Sequence, residues 1–121
     1  NDRTDEELLP DFNLAQHATD FSNMILILHH PPFDTECDKL SNGVHVGSKL
    51  FRNFIEEKQP LLVICGHIHE SCGKDTINKT LVINPGSFAE GKYAIIQIDQ
   101  QSTSNNNSKE FLVTSVEFKT I

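Results

Sequence analysis

Two apolar runs that each end in histidine constrain this chain more than any other feature. Met24-Ile25-Leu26-Ile27-Leu28 runs into His29-His30-Pro31-Pro32, and Leu61-Leu62-Val63-Ile64-Cys65 runs into Gly66-His67-Ile68-His69-Glu70. Each run has the length and branched-aliphatic content of a buried strand. Each also delivers imidazole at its carboxyl end, where open α/β sheets gather ligands and catalytic groups. Side by side, two such ends would make a metal site, because neutral imidazole binds Zn, Mn, Fe, Co and Ni.

The residues between the runs predict how they come together. From Phe33 to Gly47 the chain is polar and irregular, a surface loop whose reactive groups are Asp34, Glu36, Asp38 and His45. Ser48 then reads as a helix N-cap, Leu50, Phe51, Phe54 and Ile55 recur at helical spacing, and Pro60 closes the helix after Lys58. Strand 24–28, loop, helix and strand 61–65 therefore predict a βαβ unit with a parallel pair and a right-handed crossover. Turn chemistry follows at 71–75, with further strands at 80–83, 93–98 and 111–118. The polar tract 100–108 predicts a flexible hairpin loop. Residues 1–23 read as an acidic connector, in which Leu8, Leu9, Phe12 and Leu14 fit either a short helix or a loosely held segment. The rest, 24–121, reads as a single unit of α/β class.

Charge and composition exclude several functions. Ten basic against 17 acidic residues leave a net charge of −7, unsuited to gripping a nucleic-acid backbone or an anionic lipid surface. A phosphate-bearing ligand would need a local positive charge, which a bound cation supplies. No apolar run approaches the roughly 18–20 residues of a membrane-spanning helix. Cys37, Cys65 and Cys72 are an odd, sparse set that predicts a reducing, cytoplasmic setting. The amino terminus lacks an initiating Met and a signal pattern, and the chain reads as a fragment or processed product. The sequons at Asn78 and Asn106 are read as chance.

In an extended segment residues two apart share a face, so His67 and His69 would point the same way, with Gly66 allowing a sharp backbone turn. His29, at the end of the paired strand, would lie within reach, its loop stiffened by Pro31 and Pro32. His17, His30 and His45 read by default as polar surface residues. A rival set, Cys65, His67, His69 and Cys72, would close a structural zinc site, although Cys65 is expected to point into the core.

Taken in order, these residues carry a family resemblance. His29 to Pro32 after an apolar strand, Val46-Gly47-Ser48-Lys49-Leu50 opening a helix, Cys65-Gly66-His67-Ile68-His69-Glu70, and Leu81-Val82-Ile83-Asn84-Pro85-Gly86-Ser87 resemble the carboxyl-terminal half of a calcineurin-like metallophosphoesterase. The resemblance implies part of a four-layer αββα sandwich around two divalent ions (Mn, Fe, Zn or similar). It implies hydrolysis of phosphomonoesters or phosphodiesters by a metal-bridged hydroxide. His29 and His67 match ligands of one ion and His69 a ligand of the other. His30, Asn84, Gly86 and Ser87 fall beside the substrate, and Asn84 to Ser87 fit equally well as a tight turn.

The departures bear on activity. Such enzymes also use Asp-x-His, Gly-Asp and Gly-Asn-His/Cys-Asp/Glu motifs, and none occurs in this chain. Two divalent ions need anionic bridging ligands to offset their repulsion, and three neutral imidazoles supply no charge. The chain is thus expected to bind at most one ion well and to be inactive alone, within an active longer parent. The other reading is a non-catalytic scaffold of the same fold that binds a protein partner.

Overall fold

The computed structural model describes residues 20–101 and 109–121. Among these, strand β1 is Ile25–Ile27, helix α1 Lys49–Lys58, β2 Leu62–Ile64, β3 Gly73–Ile77, β4 Thr80–Asn84, β5 Lys92–Gln101 and β6 Glu110–Thr120. Short 3-10 turns occupy Phe21–Asn23, His69–Ser71 and Phe88–Glu90. Four strands form one sheet in the order β1-β2-β4-β3, and β5 with β6 forms a second, two-stranded sheet. This is the expected mixed α/β architecture. The candidate helix around Leu8 to Leu14, His17 and the tract 102–108 lie outside the described residues.

The βαβ unit forms as its local chemistry dictates. The Ser48 hydroxyl accepts from the Phe51 amide at 3.2 Å, capping α1, and Gln59 ends the helix in the left-handed conformation at φ 52°. Strands β1 and β2 pair in parallel, with Leu26 opposite Val63, and β2 pairs in parallel with β4, with Val63 opposite Val82. That row, with Cys65 and Ile77, faces Phe54 and Ile55 of α1 and Cys37, and Phe21, Leu26 and Leu28 pack against it. Burying a side chain such as Phe54, which is 2% exposed, contributes about 1.5–3 kcal/mol.

Two expectations about strands need correction. The first apolar run is not a fully buried strand: Ile25 and Ile27 are 46% and 75% exposed, because β1 is an edge strand and these residues lie on the sheet face away from α1. On that same face Leu62 and Ile83, one and two strands further in, are buried. Of the segment 71–75, expected to be a turn, Ser71 does end a 3-10 turn, but Gly73 begins β3, which pairs antiparallel with β4 through the turn at Asn78 and Lys79. Asn78 has φ 53°, a conformation Asn tolerates, and so closes a tight hairpin.

In the second sheet, pairing shifts between Gln97 and Ile98, so that Ile96 opposes Val116 while Ile98 opposes Val113. The bulge keeps Phe111, Val113 and Val116 half-buried across the irregularity, whereas an uninterrupted alternation would put 113 and 116 on opposite faces. The Thr114 hydroxyl secures the bulge by donating to Asp99 Oδ2 at 2.6 Å. Among the described residues no helix is long and apolar enough to cross a membrane.

Candidate functional site

The parallel pair β1 and β2 delivers its histidines to one end of the sheet. The Leu28 amide donates to the Ile64 carbonyl at 2.8 Å, and the Gly66 amide to the His29 carbonyl at 3.3 Å, so pairing continues past both strands into the histidine segments. The sharp turn comes at His67, not at Gly66: His67 has φ 67°, a left-handed conformation costly for a residue with a Cβ. His67 thereby places its ring 4.7 Å from that of His29 and 5.0 Å from that of His30, and His29 and His30 lie 5.1 Å apart, centroid to centroid. His30, expected at the surface, is 8% exposed and belongs to this cluster.

His69 follows a different course. Residues 69–71 wind into a 3-10 turn, so His67 and His69 do not sit on one face of an extended segment, and His69 is exposed. The turn is anchored from the other side: the Ser41 hydroxyl and amide both donate to the Glu70 carboxylate, and the Ser71 hydroxyl donates to the Lys39 carbonyl. The Ser41 donors hold the Glu70 carboxyl below its usual range.

Asn84 ends β4 and is 1% exposed. Its amide donates to the Ile68 carbonyl at 2.9 Å and its oxygen accepts from the Gly86 amide at 3.0 Å. Gly86 needs its lack of a side chain, with φ 90° and Lys92 where a Cβ would stand. Ser87 accepts through its carbonyl from the amides of Glu90 and Lys92. Asn84 therefore acts as a brace that joins the third parallel strand to the segment between His67 and His69.

The loop 33–47 is more ordered than its composition predicts. Asp38 is fully buried and accepts from the amides of Asp34, Thr35 and Gly47 at 3.0, 2.9 and 2.9 Å and from His45 Nδ1 at 2.6 Å. This hydrogen bond raises the His45 pKa above its ordinary value. Sequence reasoning left Asp38 and His45 as unconnected polar residues, because they are joined across an irregular turn that has no period. The nearest sequence signal is Gly47, whose Cβ would stand 2.6 Å from the carbonyl oxygens of Pro31 and Pro32. The loop is thus seated directly against the segment that follows His30.

The donor chemistry decides what these residues can hold. Among the described residues no group of three or more His, Cys, Asp and Glu is arranged to hold a metal ion. The rival zinc set is not assembled either: Cys65 is 3% exposed within the core, as expected, whereas Cys72 is exposed. The imidazoles of His29 and His67 are the nitrogen donors that meet at the strand ends. They do not by themselves fit a two-ion centre, whose charge neutral imidazoles leave unbalanced.

Comparison with known proteins bears on the same residues. Residues 11–107 match the profile of a family described as metallophosphoesterase, calcineurin superfamily. An uncharacterized protein of Methanocaldococcus jannaschii is 38% identical over 89 residues, covering 70% of this chain and 40% of that protein. One crystal structure superimposes with a TM-score of 0.64 at 21% identity, over 93% of this chain and 38% of the other, a likeness of fold. A second, of TT1561 from Thermus thermophilus, gives a TM-score of 0.48 at 18% identity, over 95% and 40% of the two chains. The chain spans 40% of the length of the curated relative it matches.

Proposed function

This chain belongs to the metallophosphoesterases of the calcineurin superfamily, and we propose that it forms the carboxyl-terminal part of a metal-dependent hydrolase of phosphomonoesters or phosphodiesters. The observation that carries this reading is the convergence of His29 and His67, 4.7 Å apart at the carboxyl ends of adjacent parallel strands, within a family match that includes both. Divalent cations are the cofactors of such chemistry, and His29, His67 and His69 are the residues of this chain offered to them. The remaining, anionic donors come from elsewhere in a longer polypeptide. His30 and the turn Asn84, Gly86 and Ser87 border the substrate and fix the geometry of the histidine segments.

The test is hydrolysis of p-nitrophenyl phosphate by the complete protein with Mn2+. His67→Ala is expected to abolish metal-dependent turnover while leaving the fold intact by circular dichroism. Undiminished turnover in that variant would sink the proposal.

A second reading, a non-catalytic scaffold that binds a protein partner, draws on the incomplete donor set and on the exposed Ile25 and Ile27. It requires that the longer polypeptide also lack Asp-x-His and Gly-Asn-His/Cys-Asp/Glu motifs. Their presence upstream of residue 1 rules it out.

A further inference from the structure

The Asp38–His45 pair has the construction of a proton-transfer unit. Asp38 is 0% exposed and is fixed by the amides of Asp34, Thr35 and Gly47, which together satisfy most of its acceptor capacity. Its remaining contact, 2.6 Å to Nδ1, orients the His45 ring and leaves Nε2 as the nitrogen that can exchange a proton. Nε2 lies 3.5 Å from Oδ1 of the exposed Asp34, too far for a strong hydrogen bond.

The loop's anchors place this pair beside the histidine cluster. The Ser48 amide donates to the Pro31 carbonyl at 2.8 Å and the Phe33 amide to the Ser48 carbonyl at 3.0 Å. Gly47 is in contact with the carbonyls of Pro31 and Pro32, directly after His30. Two residues of extended chain span at most about 7 Å, so His45 stands at most that far from the residue seated on Pro31 and Pro32. On its other side the loop is pinned to the His69 turn through Ser41 with Glu70 and Lys39 with Ser71. The loop that carries His45 is therefore fastened to both histidine segments, the one that ends at His30 and the one that contains His69.

A clasp alone would not need histidine. The three amides already hold Asp38, and an asparagine at 45 could make the fourth contact. What histidine adds is a second, titratable nitrogen on the outer side. We propose that His45, positioned by Asp38, donates a proton from Nε2 to the leaving oxygen of the phosphate ester; this rests on the phosphoesterase reading above. Water supplies the new oxygen on phosphorus, keeping one proton there and releasing the other to solvent, the ester P–O bond breaks, and its electron pair goes to the leaving oxygen, which takes the Nε2 proton. The alcohol departs, Nδ1–H stays on Asp38, and solvent reprotonates Nε2. The charged groups facing His45 are Asp38 and Asp34, which favour its protonated form, and Lys39, which opposes it. Arg52 holds the Asp34 carbonyl at 3.1 Å.

The test compares two esters in the complete protein with Mn2+. p-Nitrophenolate leaves without a proton, whereas the alkoxide of glycerol 2-phosphate does not. His45→Asn retains a donor to Asp38 at the position of Nδ1 and removes Nε2. It is expected to lower kcat on the alkyl ester by about 100-fold or more, to lower it less than about threefold on the nitrophenyl ester, and to remove the alkaline limb of the pH profile. Asp38→Asn is expected to move the same ratio in the same direction by a smaller factor. Equal losses on both esters, or no loss on either, overturn the proposal.

A second measurement needs no turnover. In the 121-residue chain, inorganic phosphate is expected to shift the His45 imidazole resonances in NMR spectra; shifts confined to other residues overturn the placement of His45 at the site. If the unsubstituted protein hydrolyses neither these monoesters nor the diester bis(p-nitrophenyl) phosphate, the phosphoesterase reading fails and the proton-donor role fails with it. Hydrolysis with an unchanged ester ratio in His45→Asn rejects the His45 role alone.

Discussion

The side-chain amide of Asn84 donates to the backbone carbonyl of Ile68 at 2.9 Å, tying the end of one parallel strand to the residue between His67 and His69. The same side chain accepts from the Gly86 amide. Asn84→Ala leaves both backbone groups without these partners in a half-buried setting, a loss of about 1 kcal/mol. Urea denaturation is expected to show a lower midpoint with an unchanged slope. A midpoint equal to that of the unsubstituted chain would mean that the brace contributes nothing.

Gly47 has no space for a side chain. A Cβ there would stand 2.6 Å from two proline carbonyl oxygens that belong to backbone and cannot swing aside. Gly47→Ala is expected to destabilise by about 1–3 kcal/mol and to shift the backbone amide resonances of His29 and His30. Denaturation together with an amide correlation spectrum checks both effects, and spectra that superimpose would refute the close seating.

The Asp38 hydrogen bond raises the His45 pKa in the folded chain above the ordinary value of 6.5. The folded state therefore binds its proton more tightly than the unfolded state does. The resulting stabilisation is fully present below about pH 6.5 and is lost as pH rises through the elevated folded value. Melting temperature is expected to fall across that window, and to fall less in His45→Asn, which cannot titrate. Identical slopes in the two proteins would show that His45 does not carry the effect.

Metal binding by this chain alone is expected to be weak and limited to one ion. Two divalent ions about 3.5–4 Å apart require anionic ligands between them, and the imidazoles of His29 and His67 bring no negative charge. Titration with Mn2+ is expected to broaden the His29 and His67 imidazole signals first, and elemental analysis to find no more than one equivalent. Two tightly held equivalents would contradict this account.

The three cysteines differ in accessibility. Cys72 is exposed, whereas Cys37 and Cys65 are buried, and the hydrogen bond with Cys37 together with burial pushes the Cys65 thiol well above its usual range. The thiolate is the reactive form. Brief alkylation of the native chain followed by mass spectrometry is therefore expected to label Cys72 alone, with the other two labelled only in denaturant. Labelling of Cys65 in the native state would refute its burial.

Much of the fold is legible in local chemistry. The Ser48 cap, the helical spacing of Phe51, Phe54 and Ile55, and the stop before Pro60 specify α1, since each acts within one or two turns. The apolar run ending at Cys65 specifies a central strand. Strand β3 escaped the same reading because Lys74, Asp75 and Thr76 carry little apolar signal, and their strand character comes from pairing with β4. The exposure of Ile25 and Ile27 is likewise a consequence of β1 lying at the sheet edge, which no stretch of sequence states.

The sequence by itself determined that imidazoles would gather at the ends of two parallel strands, because apolar runs of strand length stop abruptly at histidine. Only the tertiary structure decided which imidazoles meet. The left-handed turn at His67 brings its ring to His29 and His30, while the 3-10 turn carries His69 to the surface. It also decided that Asp38 and His45, seven residues apart in an aperiodic loop, become one hydrogen-bonded unit. The physical reason is common to both cases: a side chain's period along one element fixes the face it occupies. Contacts between segments depend on backbone turns and on the burial of charge, which are settled only when the whole chain packs.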